Sequence, residues 1–505
     1  MIRATLSEVA AWSGAVVAGG GAGAGAGGET AIAGVSTDSR SIAPGQLFVP
    51  LAGDRFDGHA YIDKVVEAGA AAALWNRETA VPADPGIPLL LVDDTLAALQ
   101  RLAAGYLASW SPRVIGVTGS NGKTTTKDLI AAVAGTVFKT AKTEGNYNNH
   151  IGLPLTILRA DRNTEVLVLE MGMSGFGEIA LLTRIARPDI AVITNIGESH
   201  MLQLGSRRGI AQAKLEIAQG LKAGGTLIYN GDEPLLREEL AALALPADAV
   251  RTLTFGETEA CDLRALDIAT DADSASFAAA AGAGAPAGEA ADGGAAVAGG
   301  AAADEATAGA ANAAASRFAV PIPGRHNAVN ALAAIAAARL LGIADADIAR
   351  GLAGAQLTGM RIERVRAWNG ALILSDAYNA SPASVRAAIR LVAQLEGYRR
   401  KWLVLGDMLE LGPDEEAYHA GIGRELCEGQ ADGLLAYGPR SALMASEAAQ
   451  AMPGGTVRHF TDKNELAEAL LELVQPEDLV LVKASRGMRL EEVVRRLAAG
   501  KEETR

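Results

Sequence analysis

The sequence predicts an α/β protein of three domains: a central P-loop parallel-sheet domain of the ATPase type, a C-terminal Rossmann-like α/β domain and a smaller N-terminal α/β domain. Three observations predict this. The chain has 505 residues, too many for one hydrophobic core. Short β-branched runs alternate with helical stretches in two separate series, the rhythm of parallel strands joined by crossover helices. One strand of the first series runs into "TGSNGKTTT", a glycine turn that opens a helix.

The first unit, 1–112, is the least periodic and ends near Pro112. Its start, "MIRATLSEVAAWSGAVVAGG", faintly resembles a signal peptide, but Glu8 interrupts the apolar stretch and no convincing cleavage site follows, so a cytoplasmic setting is expected. "GGGAGAGAGG" at 19–28 reads as a flexible surface loop. The central unit, 113–322, opens with the strand candidates "RVIGVTG" (113–119), "TEVLVLEMG" (164–172) and "DIAVITNIG" (189–197). "TTTKDLIAAVAG", "GEIALLTRIA" and "GIAQAKLEIAQGL" supply helices, the first beginning near Thr124. The Ala/Gly-rich tract 278–315 has almost nothing large to pack and reads as a disordered insertion. The last unit, 323–505, carries "ALILSDAY" (371–378), "KWLVLGDM" (401–408), "GLLAYG" (433–438) and "DLVLVKAS" (478–485) as strands. Ser381-Pro382 is a helix N-cap with a first-turn proline, and Pro413 before Asp414 and Glu415 opens another helix in the same way.

Composition narrows the function. Acidic residues outnumber basic ones, 59 to 45, for a net charge of −14, so there is no basic footprint for nucleic acid. An anionic ligand must then be held by local donors. Cys261 and Cys427 fit neither a disulfide scaffold nor a metal-ligand spacing, as expected for a reducing compartment. No apolar run reaches the ~18 residues of a membrane span.

In "GVTGSNGKTTTKD" (116–128) the turn is tighter than the common G-x-x-x-x-G-K-[ST] loop, because Val117 stands five residues before Gly122. Backbone N–H groups of such a turn converge on an anion, Lys123 adds a point charge, and the Thr124 hydroxyl is placed for magnesium. The plainer alternative is a glycine turn with an exposed lysine; its strand-to-helix context favours ATP or GTP. Glu170, at a strand tip in "LEMG", is either a second metal ligand or a solvated, capping acid. His200, after the strand of "TNIGESH", falls at the ligand-gathering end of a parallel sheet, although a lone histidine there is usually structural. Lys214 in "AQAKLEI" would pass alone for a surface lysine. "TEGNYNNHIGLP" gathers Asn146, Asn148 and Asn149, suited to a polar substrate or simply to turns.

At this point the chain resembles a family. The loop T-G-S-N-G-K-T-T, E-M-G, N-I-G-E-S-H and A-K-x-E-I look like the central domain of the Mur ligases, ATP-dependent amide-forming enzymes of peptidoglycan synthesis whose phosphate loop has this shorter spacing. The likeness extends over nearly the whole chain. "STDSR" (36–40) and "PGQLFVPLAGDRFDGHAYI" (44–62) resemble the family's UDP-sugar domain, and "GRHNAVNALAAIAAA" its connection between central and C-terminal domains. "SDAYNASPASVRAAI" and "VLGDMLELG" are similar to the branch that adds a D-alanyl-D-alanine dipeptide. The D-x-x-H-x-P and D-N-P-R segments of the branch adding diaminopimelate do not occur. The tracts at 19–28 and 278–315 depart from the family pattern.

The resemblance implies that ATP phosphorylates the carboxylate of a UDP-N-acetylmuramoyl-tripeptide and that the amine of D-alanyl-D-alanine attacks the acyl phosphate. It implies ATP and Mg2+ as cofactors, no nucleic-acid or membrane partner, and a monomer. Gly119, Ser120, Asn121, Gly122, Lys123, Thr124 and Thr125 would hold the phosphates, with Thr124 and Glu170 on one magnesium and His200 on a second. Lys214 matches a family lysine that is carbamylated, which would turn it into a metal ligand. Asn330 would contact adenine, Arg361 the phosphates and Asp376 the ribose. Thr37, Asp38, Ser39 and Arg40 are the candidates for the UDP-muramoyl end; Asn146, Asn149, Asn379 and Ser381 are those for the remaining substrate contacts.

Two other functions compete. A folylpolyglutamate synthase-like ligase shares the chemistry but lacks a separate UDP-binding unit such as "STDSR…DGH" suggests. A P-loop switch or motor ATPase would not need the amide-rich loop of 143–154.

Overall fold

A computed structural model describes residues 1–18, 29–53, 56–243, 250–282, 315–359 and 362–500. Among these residues lie three main sheets, of nine, six and five strands.

The nine-stranded sheet runs in the order 140–142, 166–170, 113–118, 190–193, 225–230, 250–256, 263–270, 275–281, 316–320. The first seven strands pair in parallel and the last two add antiparallel. Strand Val166–Glu170 is buried along its whole length, as a strand covered on both faces must be, which is why it reads as a continuous apolar run. Strand Arg113–Thr118 lies between 166–170 and 190–193, with Val117 opposite Glu170 and Thr118 opposite Ile193. The ends of three neighbouring strands therefore open on one place, the expected ligand crevice.

One departure from the sequence reading concerns the tract at 278–315. Its first four residues end the strand Ala275–Ala281, pairing with 263–270 and 316–320. Alanine is a poor strand former, but strands on both sides and the helix Arg325–Leu340 above bury Phe277 and Ala279, so context overrides propensity. Residues 283–314, and the glycine tract 19–28, lie outside the described residues.

The packing of one helix bears on the domain border. Helix Arg325–Leu340 is alanine-rich and buried almost all round, packing with Asp345–Ala353 on the phosphate-loop helix Lys123–Ala134 within the central core. The C-terminal sheet starts only at Glu363. We therefore propose that the third unit begins in the linker after Ala353 and not at 323.

The six-stranded sheet has the order 363–366, 372–376, 479–483, 401–406, 433–437, 456–460, parallel except for its first strand. Ser381 caps helix Pro382–Gln394 through a reciprocal bond with Ser384. The motif after Pro413 forms a single 3-10 turn, Gly412–Asp414, before helix Glu415–Glu425. The N-terminal sheet, in the order 16–18, 89–92, 72–76, 47–48, 35–36, is built of strands two to five residues long.

Candidate active site

Where the central and C-terminal units meet there is a cavity of about 710 Å³. It is lined by Ser120, Asn121, Gly122, Lys123 and Thr125 from the phosphate loop. The chain turns there in a way that requires glycine. Gly119 has φ +147°, and a Cβ on it would stand 1.8 Å from Thr194 Oγ1; Gly122 has φ +78°, and its Cβ would meet Asn330 Oδ1 at 2.7 Å. The loop is fixed from the neighbouring strand end. Asn121 N–H donates to Asn195 Oδ1 (3.0 Å), and Thr194 Oγ1 and Asn195 Nδ2 donate to Asn121 O (2.5 and 3.1 Å). The helix begins at Lys123, one residue before the expected start. Lys123 Nζ folds back on Gly119 O at 2.8 Å. Thr124 is buried in the helix's first turn and Thr125 faces the cavity.

Glu170 borders the same cavity. Its backbone N–H donates to Thr143 Oγ1 (3.0 Å), and its Oε1 accepts from Asn148 Nδ2 (2.8 Å). Its Oε2 is buried with no hydrogen-bond partner among the described residues. An orphaned carboxylate oxygen is costly unless something cationic shares the site. Asn148, not its neighbours, is the amide that orients Glu170. Asn149 lines the cavity but its Oδ1 accepts from Ile151 N–H and Gly152 N–H, the turn role open to it from the sequence. Asn146 is exposed and does not line the cavity.

His200 lines the cavity and stands 3.0 Å by Nδ1 from Glu410 Oε2 of the C-terminal unit. Burial, then the Lys123 and Lys214 cations, push the His200 imidazole below its ordinary range, while Glu410 opposes them. Lys214 is not a surface lysine: it is 1% exposed, and burial, with Lys123 beside it, pushes its ammonium well below the usual range. No carboxylate pairs with it among the described residues, so nothing opposes that shift toward the neutral amine. Lys214 is not among the residues that line the cavity.

The opposite wall comes from the C-terminal unit. Asp376 and Asn379 both line it. Asp376 is opposite Lys483 in the parallel register, and Lys483 Nζ donates to Asp376 Oδ2 (2.6 Å) and to Asn379 O (2.9 Å). Lys483, 2% exposed, is a residue the sequence reading missed. The signal available was a lysine closing the apolar run "LVLVK". Ser381 does not line the cavity, but its Oγ donates to Asn121 Oδ1 (3.2 Å), tying the cap of one helix to the phosphate loop of the other unit. Asn330 lines the cavity directly over Gly122. Arg361 lies outside the described residues. Thr37, Asp38, Ser39 and Arg40 follow the strand Val35–Ser36, away from this cavity. Arg40 forms a two-point pair with Asp38 (2.9 and 2.8 Å), which holds that carboxyl down at about 2.

Among the described residues no three His, Cys, Asp or Glu side chains converge to hold an ion. The donor set nevertheless fits magnesium, which keeps waters and substrate phosphates as ligands and asks little of the protein. Glu170 Oε2 is the oxygen left for it. Among the described residues no helix is long and apolar enough to cross a membrane.

Three family descriptions match successive parts of the chain: "Mur ligase family, catalytic domain" over 31–107, "Mur ligase middle domain" over 117–338, and "Mur ligase, glutamate ligase domain" over 360–486. The UDP-N-acetylmuramoyl-tripeptide–D-alanyl-D-alanine ligase of Bacillus subtilis is 48% identical across 93% of this chain and 94% of its own length. That of Escherichia coli is 34% identical across 92% and 93%. Among solved structures, MurF from Acinetobacter baumannii superposes with a TM-score of 0.82 at 29% identity, covering 99% of both chains. MurF ligase from Thermotoga maritima in complex with ADP gives 0.75 at 28% identity over 92% of this chain and 97% of its own. The site thus lies in a chain whose three units each match a Mur ligase domain and which aligns nearly end to end with these ligases, and the chain belongs to the Mur ligase family.

Proposed function

We propose that this protein is the ATP-dependent ligase that joins D-alanyl-D-alanine to UDP-N-acetylmuramoyl-tripeptide through an acyl phosphate, working in the cytoplasm, where ATP is available. The observation that carries the reading is the convergence of the phosphate loop, Glu170 and His200 on one cavity closed by Asp376 and Asn379. The full-length likeness to ligases of that name, one of them solved with ADP, supports the choice of substrates.

In this reading the loop N–H groups and Lys123 hold the triphosphate, and Asn148 keeps Glu170 turned toward the metal position. Thr124 and Glu170 would hold one magnesium and His200 a second, and the ions would supply neutralisation of phosphate charge. Transfer of this kind is mostly positioning and charge neutralisation, so the chain's task is to bind, orient and exclude water. The Ser381–Asn121 contact does the last by fastening the C-terminal wall to the loop. Asn379, Asn149 and Asn146 remain candidates for substrate contacts, Asn330 for adenine, Arg361 for phosphate and Asp376 for ribose. Thr37, Asp38, Ser39 and Arg40 remain candidates for the UDP-muramoyl end.

Lys214 suits carbamylation, because its burial shifts it toward the neutral amine, the form that adds to carbon dioxide, releasing a proton and leaving a carbamate. Lys214→Ala is expected to lose most activity and to regain part of it with millimolar formate or acetate. Absence of rescue removes the carbamate.

The test of function is phosphate release from ATP by the purified protein. Release should require UDP-N-acetylmuramoyl-tripeptide and D-alanyl-D-alanine together. Equal release with neither present would replace this reading by a nucleotide-driven switch or motor.

A further inference from the structure

The motif "GDMLELG" at 406–412 takes no part in the chemistry above, yet the fold fixes it closely. The buried Asp407 carboxylate accepts from Ser441 N–H (2.8 Å) and Ser441 Oγ (2.7 Å). Met408 N–H donates to Nε2 of the buried His419 (2.9 Å), whose Nδ1 is 2.7 Å from Glu415 O. Leu409 N–H donates to Ser485 Oγ (2.9 Å). Gly412, at φ +74°, lies against Leu202 of the central unit. Between these anchors Glu410 sits at φ +64°, a left-handed backbone that a non-glycine residue seldom adopts.

His200 is also left-handed, at φ +63°. The two side chains meet across the junction of the units, with Glu410 Oε2 3.0 Å from His200 Nδ1. That nitrogen is buried and makes no well-aligned hydrogen bond among the described residues. Strained backbone held by surrounding bonds is a mark of function, and here it occurs on both partners of one contact.

We propose that Glu410 is a positioning residue: its carboxylate holds the His200 imidazole in the Nδ1–H form and keeps the Nε2 lone pair for the cavity. A carboxylate behind a histidine fixes ring orientation and tautomer in the same way at metal sites. Because Glu410 belongs to the C-terminal unit and His200 to the central one, His200 is set only when the two are docked. Closure and completion of the site become one event. The rate consequence rests on the ligase reading; the tautomer does not.

Two variants test it. Glu410→Ala should lower kcat by about 10- to 100-fold while KM for ATP stays within about twofold. Glu410→Gln, whose amide oxygen can accept from Nδ1–H, should stay within about threefold of the parent in kcat. Combining Glu410→Ala with His200→Ala should be no slower than His200→Ala alone. An effect on KM only, equal loss in both Glu410 variants, or additive losses overturns the proposal. A second measurement needs no substrate. In protein labelled with 15N-histidine, with His200 assigned through His200→Gln, the ring should show a protonated Nδ1 and a bare Nε2. Glu410→Ala should turn this into a mixture of tautomers, and Glu410→Gln should not. A His200 signal unmoved by Glu410→Ala overturns the proposal even if the parent protein proves to catalyse another reaction.

Discussion

Replacing Lys123 by alanine is expected to cut ligation by about 10³-fold or more, roughly 4 kcal/mol of transition-state stabilisation, the scale of losing one preorganised donor aimed at developing charge. The argument is geometric. The loop is held in one shape by Thr194 and Asn195, and its glycines admit no side chain, so nothing else in the loop can supply a cation. Lys123 Nζ already lies over the loop, 2.8 Å from Gly119 O, and needs only a change of rotamer to meet a phosphate. Folding should be preserved, since the bonds lost to loop carbonyls are worth about 1 kcal/mol each. Lys123→Arg should not rescue, because a planar fork cannot take the place of a point charge in so tight a turn. Single-turnover phosphate release, with circular dichroism as a control for folding, checks this. Turnover within about tenfold of the parent would withdraw the phosphate-loop assignment.

Why this site was legible in the sequence, and where it was not, follows from how burial writes itself into residues. The strands at 113–118, 166–170 and 190–193 are covered on both faces, so they stand out as apolar runs, and the residues at their tips fall in the crevice. The N-terminal unit was hard to class because its sheet is made of strands as short as two residues, too short for any period to show. The three amides of 146–149 look alike in sequence. Only the fold, which lays Asn148 against Glu170, separates the one that orients a carboxylate from one that stabilises a turn. Lys483 is not legible for a related reason, and Lys214 is legible only through the family resemblance. A lysine is normally solvated, and its burial depends on elements distant in the chain. The alanines of helix 325–340 fit any close-packed surface, so its sequence alone does not show that it packs on the helix at 123–134.

The same difficulty hides the residue on which stability should depend most. Asp128→Asn is expected to destabilise the central unit by ~3–5 kcal/mol, the usual loss when one member of a buried ion pair is removed. Lys127 is fully buried, its Nζ donating to Thr143 O (2.7 Å) and lying 3.2 Å from Asp128 Oδ1. Asp128, 1% exposed, also receives Lys142 Nζ (2.5 Å) and the Thr358 backbone N–H (2.8 Å), the latter from the linker that leads to the C-terminal unit. Burial alone would raise the Asp128 carboxyl; two cations and a backbone donor prevail and hold it below its ordinary value. For Lys127 burial prevails, and its ammonium is pushed down despite Asp128. Asparagine can still accept from Thr358, but it leaves the Lys127 charge without its partner. The loss should therefore shrink when the charge is removed as well: Lys127→Met with Asp128→Asn should be more stable than Asp128→Asn alone. Three domains do not unfold as one, so the measurement is native-state hydrogen exchange of amides in the helix 123–134. The sign of the pH effect follows. A carboxyl whose folded pKa is depressed contributes its full stability above the ordinary value of 3.8 and loses it as pH falls through the lower folded value. The parent should lose protection on acidification through that window more steeply than Asp128→Asn. A double variant as unstable as the single one, or parallel acid profiles, would show that the pair contributes nothing and that the linker is held by other means.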